Sequence, residues 1–284
     1  MHSLDVIDQW PVDNAAAVVL TDNAAAVVLT GESSGGGGRI SASHGDQSRV
    51  FPLASVTKLL CAYAILVAAE EGAVELDQPA GPEGSTVRHL LAHASGLAFG
   101  ERVVQAPVAS KRIYSSAGFE VLAELIEHET SIPFADYLAE AVFEPLQMTT
   151  AALVGPAGHG AQASAADLSR FAAELLAPTL ISPQTYKTAI SVQFPGLNGI
   201  LPGYGSKRPN DWGLGFEIRG QKNPHWTGLE NSASTFGHFG QSGTFLWVDP
   251  SIDAACVVLT DRAFGDWAKP LWTELSDRVI TDIR

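Results

Sequence analysis

Apolar and polar positions change rhythm three times along the chain. In residues 13–30 the word DNAAAVVLT is written twice without a spacer, and each AVVLT half reads as a strand. GESSGGGG, from Gly31 to Gly38, predicts a flexible loop, and RISASHG after it a short polar strand. From Phe51 the pattern turns helical. ASVTKLLCAYAILVAAEEG is rich in Ala and Leu, sets Leu59, Tyr63, Leu66 and Val67 on one face, and ends at Gly72. TVRHLLAHASG predicts a short helix closed by Ser95 and Gly96, and SSAGFEVLAELIEHE repeats the helical period through Phe119, Leu122 and Ile126. Pro133 opens PFADYLAEAVF, Ser164 caps AADLSRFAAELLA, and Ser182 caps SPQTYKTAI with Pro183 in its first turn. After Phe194 the chain becomes rich in Gly, Pro and aromatic residues. DWGLGFEIRG predicts a strand, and FGHFGQSG begins a strand that runs on through TFLWV. SGTFLWVDPSIDAACVVLTDR predicts a hairpin turning at Asp249 and Pro250. The tail from Asp266 is amphipathic through Leu271, Leu275 and Val279 and is expected to cover one face of a sheet.

Strands at both ends with helices between them predict a mixed α/β (α+β) fold. Residues 1–50 and 195–284 form the sheet-containing region, and residues 51–194 form a mostly helical region inserted into it, with a cleft between the two. The repeat bears on this plan because a nine-residue step is odd: a second copy that simply extended the first would invert the register of every side chain. The second copy carries no Ser, His, Lys, Glu or Tyr, so it supplies no nucleophile or general base. The repeat is read as architectural. One copy takes the sheet position, and the other forms an extension or loop, or adds across an exposed edge in a dimer.

Composition narrows the partners. The 284 residues include 17 basic and 31 acidic side chains, a net charge of −14 that repels nucleic acid and anionic membrane. No basic stretch followed by an apolar run opens the chain, and no apolar run is long enough for a membrane span, so a cytoplasmic protein is expected. Cys61 and Cys256 both sit in apolar surroundings and are assigned to core packing. The four consecutive glycines lack the spacing of a phosphate loop. His89 and His93 have the four-residue ligand spacing, but no His-Glu-x-x-His pattern accompanies them, and no metal or other cofactor is expected.

The candidate chemistry begins in LASVTKLL. Ser55 and Lys58 stand three apart at a helix start, which sets both side chains on nearly the same face. A neutral Lys can take the Ser proton when burial favours its uncharged form. Alone, Ser-x-x-Lys is common by chance and reads first as a helix cap followed by a solvated Lys. Downstream, RIYSSAG places Tyr114 just before a helix, and FGHFGQSG places His238 and Gly240 on a strand. In SVTK (Ser55 to Lys58), YSS (Tyr114 to Ser116) and HFG (His238 to Gly240), in that order, the chain resembles the serine beta-lactamase and penicillin-binding-protein superfamily. The resemblance is to its class C beta-lactamase, D-alanyl-D-alanine carboxypeptidase and esterase branch, and LLAHASGL and VFEPLQM support it.

The resemblance implies a beta-lactamase-like fold and a serine hydrolase acting through an acyl-enzyme. Ser55 is then the acylated nucleophile, Lys58 its partner in proton transfer, and Tyr114 the group that exchanges a proton with nucleophile and leaving group. It also implies an oxyanion hole formed by the backbone N–H groups of Ser55 and Gln241, with His238 and Gly240 lining the substrate. Ser116 departs from the branch, which usually has Asn there, and is expected to reach neither Lys58 nor substrate. His238 stands where many members have Lys. Both changes favour a small neutral ester over a carboxylated lactam. Beta-lactamase or D-amino-acid peptidase activity, and a catalytically weak binding protein on the same fold, are the alternatives. His225, Trp226, Phe194, Tyr204, Trp212 and Phe216 are candidates for an acyl or alcohol pocket or for plain packing. The expected partner is a small-molecule ester or amide, acting on a monomer or homodimer.

Overall fold

The structure, a computed structural model, describes residues 2–21 and 39–284. Along the chain the strands are β1 (Ala15–Thr21), β2 (Arg39–Gly45), β3 (Val50–Pro52), β4 (Ala152–Leu153), β5 (Ala161–Ser164), β6 (Gly199–Leu201), β7 (Gly205–Lys207), β8 (Glu217–Ile218), β9 (Phe236–Gly240), β10 (Thr244–Asp249) and β11 (Ala254–Thr260). The helices are α1 (Thr57–Glu70), α2 (Val87–Leu91), α3 (Ala117–Thr130), α4 (Phe134–Leu138), α5 (Ala165–Leu176), α6 (Pro183–Ala189) and α7 (Ala268–Ile283). The fold is mixed α/β, centred on an antiparallel sheet ordered β2-β1-β11-β10-β9-β8. Strands from both ends of the chain therefore meet in one sheet.

The first copy of the repeat is β1, paired along its whole length with β11 from Ala15–Thr260 to Thr21–Ala254. Alternation divides it between two cores. Ala16, Val18 and Leu20 pack with α1 and α5 on one face, and Ala17 and Val19 pack with Trp272, Leu275 and Val279 of α7 on the other. Both faces are covered, which is why the strand is continuously apolar rather than alternating. The second copy and the glycine run lie outside the described residues. Cys61 and Cys256 are free and buried, one in each core. Among the described residues, no helix is long and apolar enough to cross a membrane.

Several elements differ from the sequence reading. Every residue of α1 from Thr57 to Ala68 is buried, not one face alone, because the helix lies between the sheet and helices α3 and α4. Such a helix has no polar face to report. DWGLGFEIRG is strand only at Glu217–Ile218. Gly213 and Gly215 before it are pressed against the Ala189 carbonyl and the Ala62 methyl, positions where any side chain would collide, and Gly215 is left-handed. FGHFGQSGTFLWV is two strands rather than one: Gly243 adopts φ 86° and its N–H returns to the Gly240 carbonyl at 3.0 Å, reversing the chain between β9 and β10. The predicted caps are present. Ser164 forms a reciprocal capping box with Asp167, and Ser182 accepts from Thr185 N–H with Pro183 in the first turn.

Candidate active site

The Ser55 turn is built by contacts distant in sequence. Ala54, just before it, holds a left-handed φ of 45°, a conformation that costs a non-glycine residue about 1–3 kcal/mol and persists only where its surroundings enforce it. The enforcement comes from both sides. The Leu53 N–H donates to Ala161 O at 2.9 Å, and Ala161 N–H donates to Thr57 Oγ1 at 3.0 Å, tying the turn to β5. On the other side, Thr244 Oγ1 donates to Leu53 O at 2.9 Å and Ser242 Oγ donates to Pro52 O at 2.7 Å. A side chain at Gly240 would strike the Leu53 carbonyl and the Thr244 hydroxyl. Glycine there lets β9 lie directly against the Ser55 turn, and Gln241 lines the same pocket as Ser55. The Gln241 side chain is exposed and donates to Phe264 O at 3.3 Å.

Lys58 is fully buried. Its ammonium nitrogen donates to Ser116 Oγ at 3.0 Å and to the Gly158 carbonyl at 2.6 Å, and among the described residues it meets no carboxylate. Burial therefore pulls its pKa from 10.5 down to about 7, opposed only in part by Cys61 and Glu120. Ser116 does reach Lys58, contrary to expectation. The reason is close packing: a Cβ on Gly158 would overlap the Ser116 side chain, so the 155–160 loop and the start of α3 are in contact, and a short hydroxyl suffices. Glu120, one helical turn on, holds that loop by accepting from Gly158 N–H at 2.9 Å and Ala157 N–H at 3.2 Å.

Tyr114 packs between Lys58, His93, Trp212, His238 and Phe99. The Lys58 nitrogen lies 4.6 Å from its ring centroid, and the His93 ring 4.7 Å away. Burial drives the phenol pKa well up while the Ser55 hydroxyl pulls it the other way, and the phenol oxygen has no hydrogen bond of normal geometry. His93 accepts from Ser115 N–H at 3.1 Å through Nδ1, fixing the segment that carries Tyr114. Phe99 O accepts from Ser116 N–H at 2.7 Å and completes the start of α3.

Ser55, Tyr114, His238 and Gln241 line one pocket of about 130 Å³ with Phe99, Leu201, Pro202, Trp212, Glu217, Trp226 and Phe239. Lys58, Ser116 and Gly240 do not line it; Lys58 touches the lining residue Tyr114 and holds Ser116. Of the aromatic candidates, Trp212 and Trp226 line this pocket, while His225, Phe194, Tyr204 and Phe216 do not. Phe194 instead stacks on His89 at 4.3 Å, Tyr204 packs on Phe239 and Phe264, and Phe216 on Phe236. Among the described residues no group of His, Cys, Asp or Glu is arranged to hold a metal. His89 Nδ1 pairs with Thr86 Oγ1 at 2.8 Å.

The beta-lactamase family model matches residues 13–277. The chain belongs to the beta-lactamase family. A beta-lactamase crystal structure from Mycobacterium bovis is 55% identical, with 99% of each chain covered and a TM-score of 0.93. Simvastatin synthase from Aspergillus terreus has the same fold at 16% identity, with 98% of this chain and 93% of that chain covered and a TM-score of 0.75. A hydrolase with promiscuous acyltransferase activity is also similar in fold, at 16% identity, with 98% and 96% covered and a TM-score of 0.76. Comparison with curated proteins found no match.

Sequence reasoning missed His93, Glu120, Gly158, Phe99 and Glu217. His93, weighed in the sequence only as a metal ligand, lies within the family-like phrase LLAHASGL, and Phe99 lies two residues after it. Gly158 and Glu217 carry no motif.

Proposed function

We propose that this member of the serine hydrolase family forms an acyl-enzyme on Ser55 and hydrolyses small uncharged carboxylic esters. The observation that carries this reading is Lys58: a buried amine with no carboxylate among the described residues, touching Tyr114 of the pocket that Ser55 also lines. Ser55 Oγ attacks the ester carbonyl carbon, and its proton passes to the coupled Tyr114–Lys58 pair. A phenol is a poor base alone, but transfer of a proton to Lys58 places a cation over the Tyr114 ring and stabilises the phenolate. The backbone N–H groups of Ser55 and Gln241 receive the oxyanion. The pair then protonates the leaving alkoxide, and water repeats the sequence to release the acid.

The pocket's chemistry supports an ester. Its lining is mainly aromatic and aliphatic, Glu217 faces it, and His238 is buried and held uncharged, its pKa lowered to about 3 by burial and by Lys58. A substrate carboxylate finds no cation there. Lactam hydrolysis is the second reading, favoured by the name of the 55% identical relative and by the Ser116–Lys58 hydrogen bond. Intact-protein mass after exposure to a small acyl ester, and separately to a beta-lactam, separates the two. The expected result is an ester-derived adduct that is absent from Ser55→Ala. A lactam adduct alone would move the assignment to beta-lactamase, and neither adduct nor turnover with either compound would leave a binding protein.

A further inference from the structure

His238 carries an unpaired acceptor. Its Nδ1 lies 2.6 Å from the Phe239 carbonyl oxygen. A carbonyl only accepts, so Nδ1 bears the proton and Nε2 presents a lone pair. That Nε2 is buried without a partner, and His238 lines the pocket together with Ser55 and Tyr114. A buried acceptor left unpaired is costly, so a group that fills it on binding gains selectivity as well as affinity. The surrounding side chains decide what that group is. Trp212 meets the imidazole edge-on at 5.5 Å and Tyr114 is tilted at the same separation, so aromatic rings enclose it, and Tyr114 Oη and Trp212 Nε1 are likewise buried without a hydrogen-bond partner among the described residues. Glu217, on the neighbouring strand, is paired with Lys222 and satisfied by His225 Nε2 and Trp226 Nε1, so it offers an incoming group no donor. An incoming carboxylate would meet a lone pair and a carboxylate. A neutral hydroxyl would meet an acceptor.

We propose that the pocket selects ester substrates carrying a hydroxyl group, which donates to His238 Nε2. The role is recognition rather than proton removal, because burial and Lys58 make this imidazole a weak base. The proposal rests on the ester-hydrolase reading and names the substrate class for the same site.

The test compares aryl esters of short hydroxy acids, with the hydroxyl at C2, C3 or C4, against counterparts bearing methyl in its place. In the native enzyme at least one hydroxy ester should exceed its methyl partner in kcat/KM by about tenfold or more. His238→Phe should abolish that preference, and His238→Gln, whose amide oxygen is again an acceptor, should keep part of it. Binding of the same pairs to Ser55→Ala, followed by the fluorescence of the pocket residues Trp212 and Trp226, reads the preference without turnover. No hydroxyl preference in either readout would overturn the proposal even where plain esters acylate Ser55, and would mean that water satisfies Nε2. A preference that survives in His238→Phe would overturn it equally. A binding preference without any Ser55 acylation would keep the recognition site and reject the hydrolase reading.

Discussion

Lys58 and Lys222 are both sealed from solvent, and their surroundings give them opposite uses. Lys222 donates to the Glu217 carboxylate and to the carbonyls of Ile218 and Asp211, so every proton of a charged ammonium has an acceptor and the charge has a counter-ion. Burial lowers its pKa, but Glu217 opposes the shift. Lys58 has a hydroxyl and a carbonyl and no counter-ion in contact. The fold thus keeps one buried lysine as an ion that braces the pocket wall through Glu217 and Trp226, and leaves the other without a counter-ion among the described residues, its pKa lowered to about 7 by burial, which suits the proton exchange proposed for it. Burial alone does not make a lysine reactive. Burial without a carboxylate does.

The largest expected effect lies on the reactive side of this comparison. Tyr114→Phe keeps the packing against His93 and Trp212 but removes the exchangeable proton, and should lower kcat on an ester with a poor leaving group by about 10²–10⁴. Near-normal turnover would assign the proton transfer to water or another side chain.

Stability separates the two lysines next. Lys222→Met leaves Glu217 as a buried charge short of its cation and should cost about 3–5 kcal/mol in denaturant unfolding. Lys58→Met should behave differently with pH. The Lys58 amine has a folded pKa of about 7, below its ordinary 10.5, so between those values the unfolded chain binds the extra proton and native stability rises with pH. Below about 7 the native protein must bury an ammonium ion. Lys58→Met should therefore be more stable than the parent near pH 6, with the advantage shrinking as pH climbs toward 10. An unchanging loss of stability across that range would put Lys58 in the same class as Lys222.

The smallest effect is expected from the repeated word. The first copy pairs with β11 along the whole of β1, so deleting residues 22–30 should leave ester turnover per active site unchanged, whatever it does to mass in solution. A folded deletion variant without turnover would place the second copy in the active-site wall.

How much of this was readable beforehand follows from distance along the chain. Ser55, Lys58, Tyr114 and His238 stand in three short phrases whose order is itself a signature, and the hairpin at Asp249–Pro250 and the caps at Ser164 and Ser182 are local chemistry. What sets the Lys58 pKa is not local. Its acceptors lie 58 and 100 residues away, and the second is a backbone carbonyl, which no residue type announces. Ser116 looked too short because its reach depends on how closely Gly158 approaches it. The full burial of α1 was hidden because periodicity reports a helix with one wet face. Glu217 looked like one more charge in a strand, since its partners Lys222, His225 and Trp226 arrive from a loop that only the fold returns to it.

The central claim is that Lys58 is an amine near neutrality, and a pH titration of the isotopically labelled lysine side chains by NMR tests it most directly. One lysine should titrate near 7, and its signal should vanish in Lys58→Met while persisting in Lys222→Met. A Lys58 signal that titrates near 10.5 with the surface lysines would contradict the account.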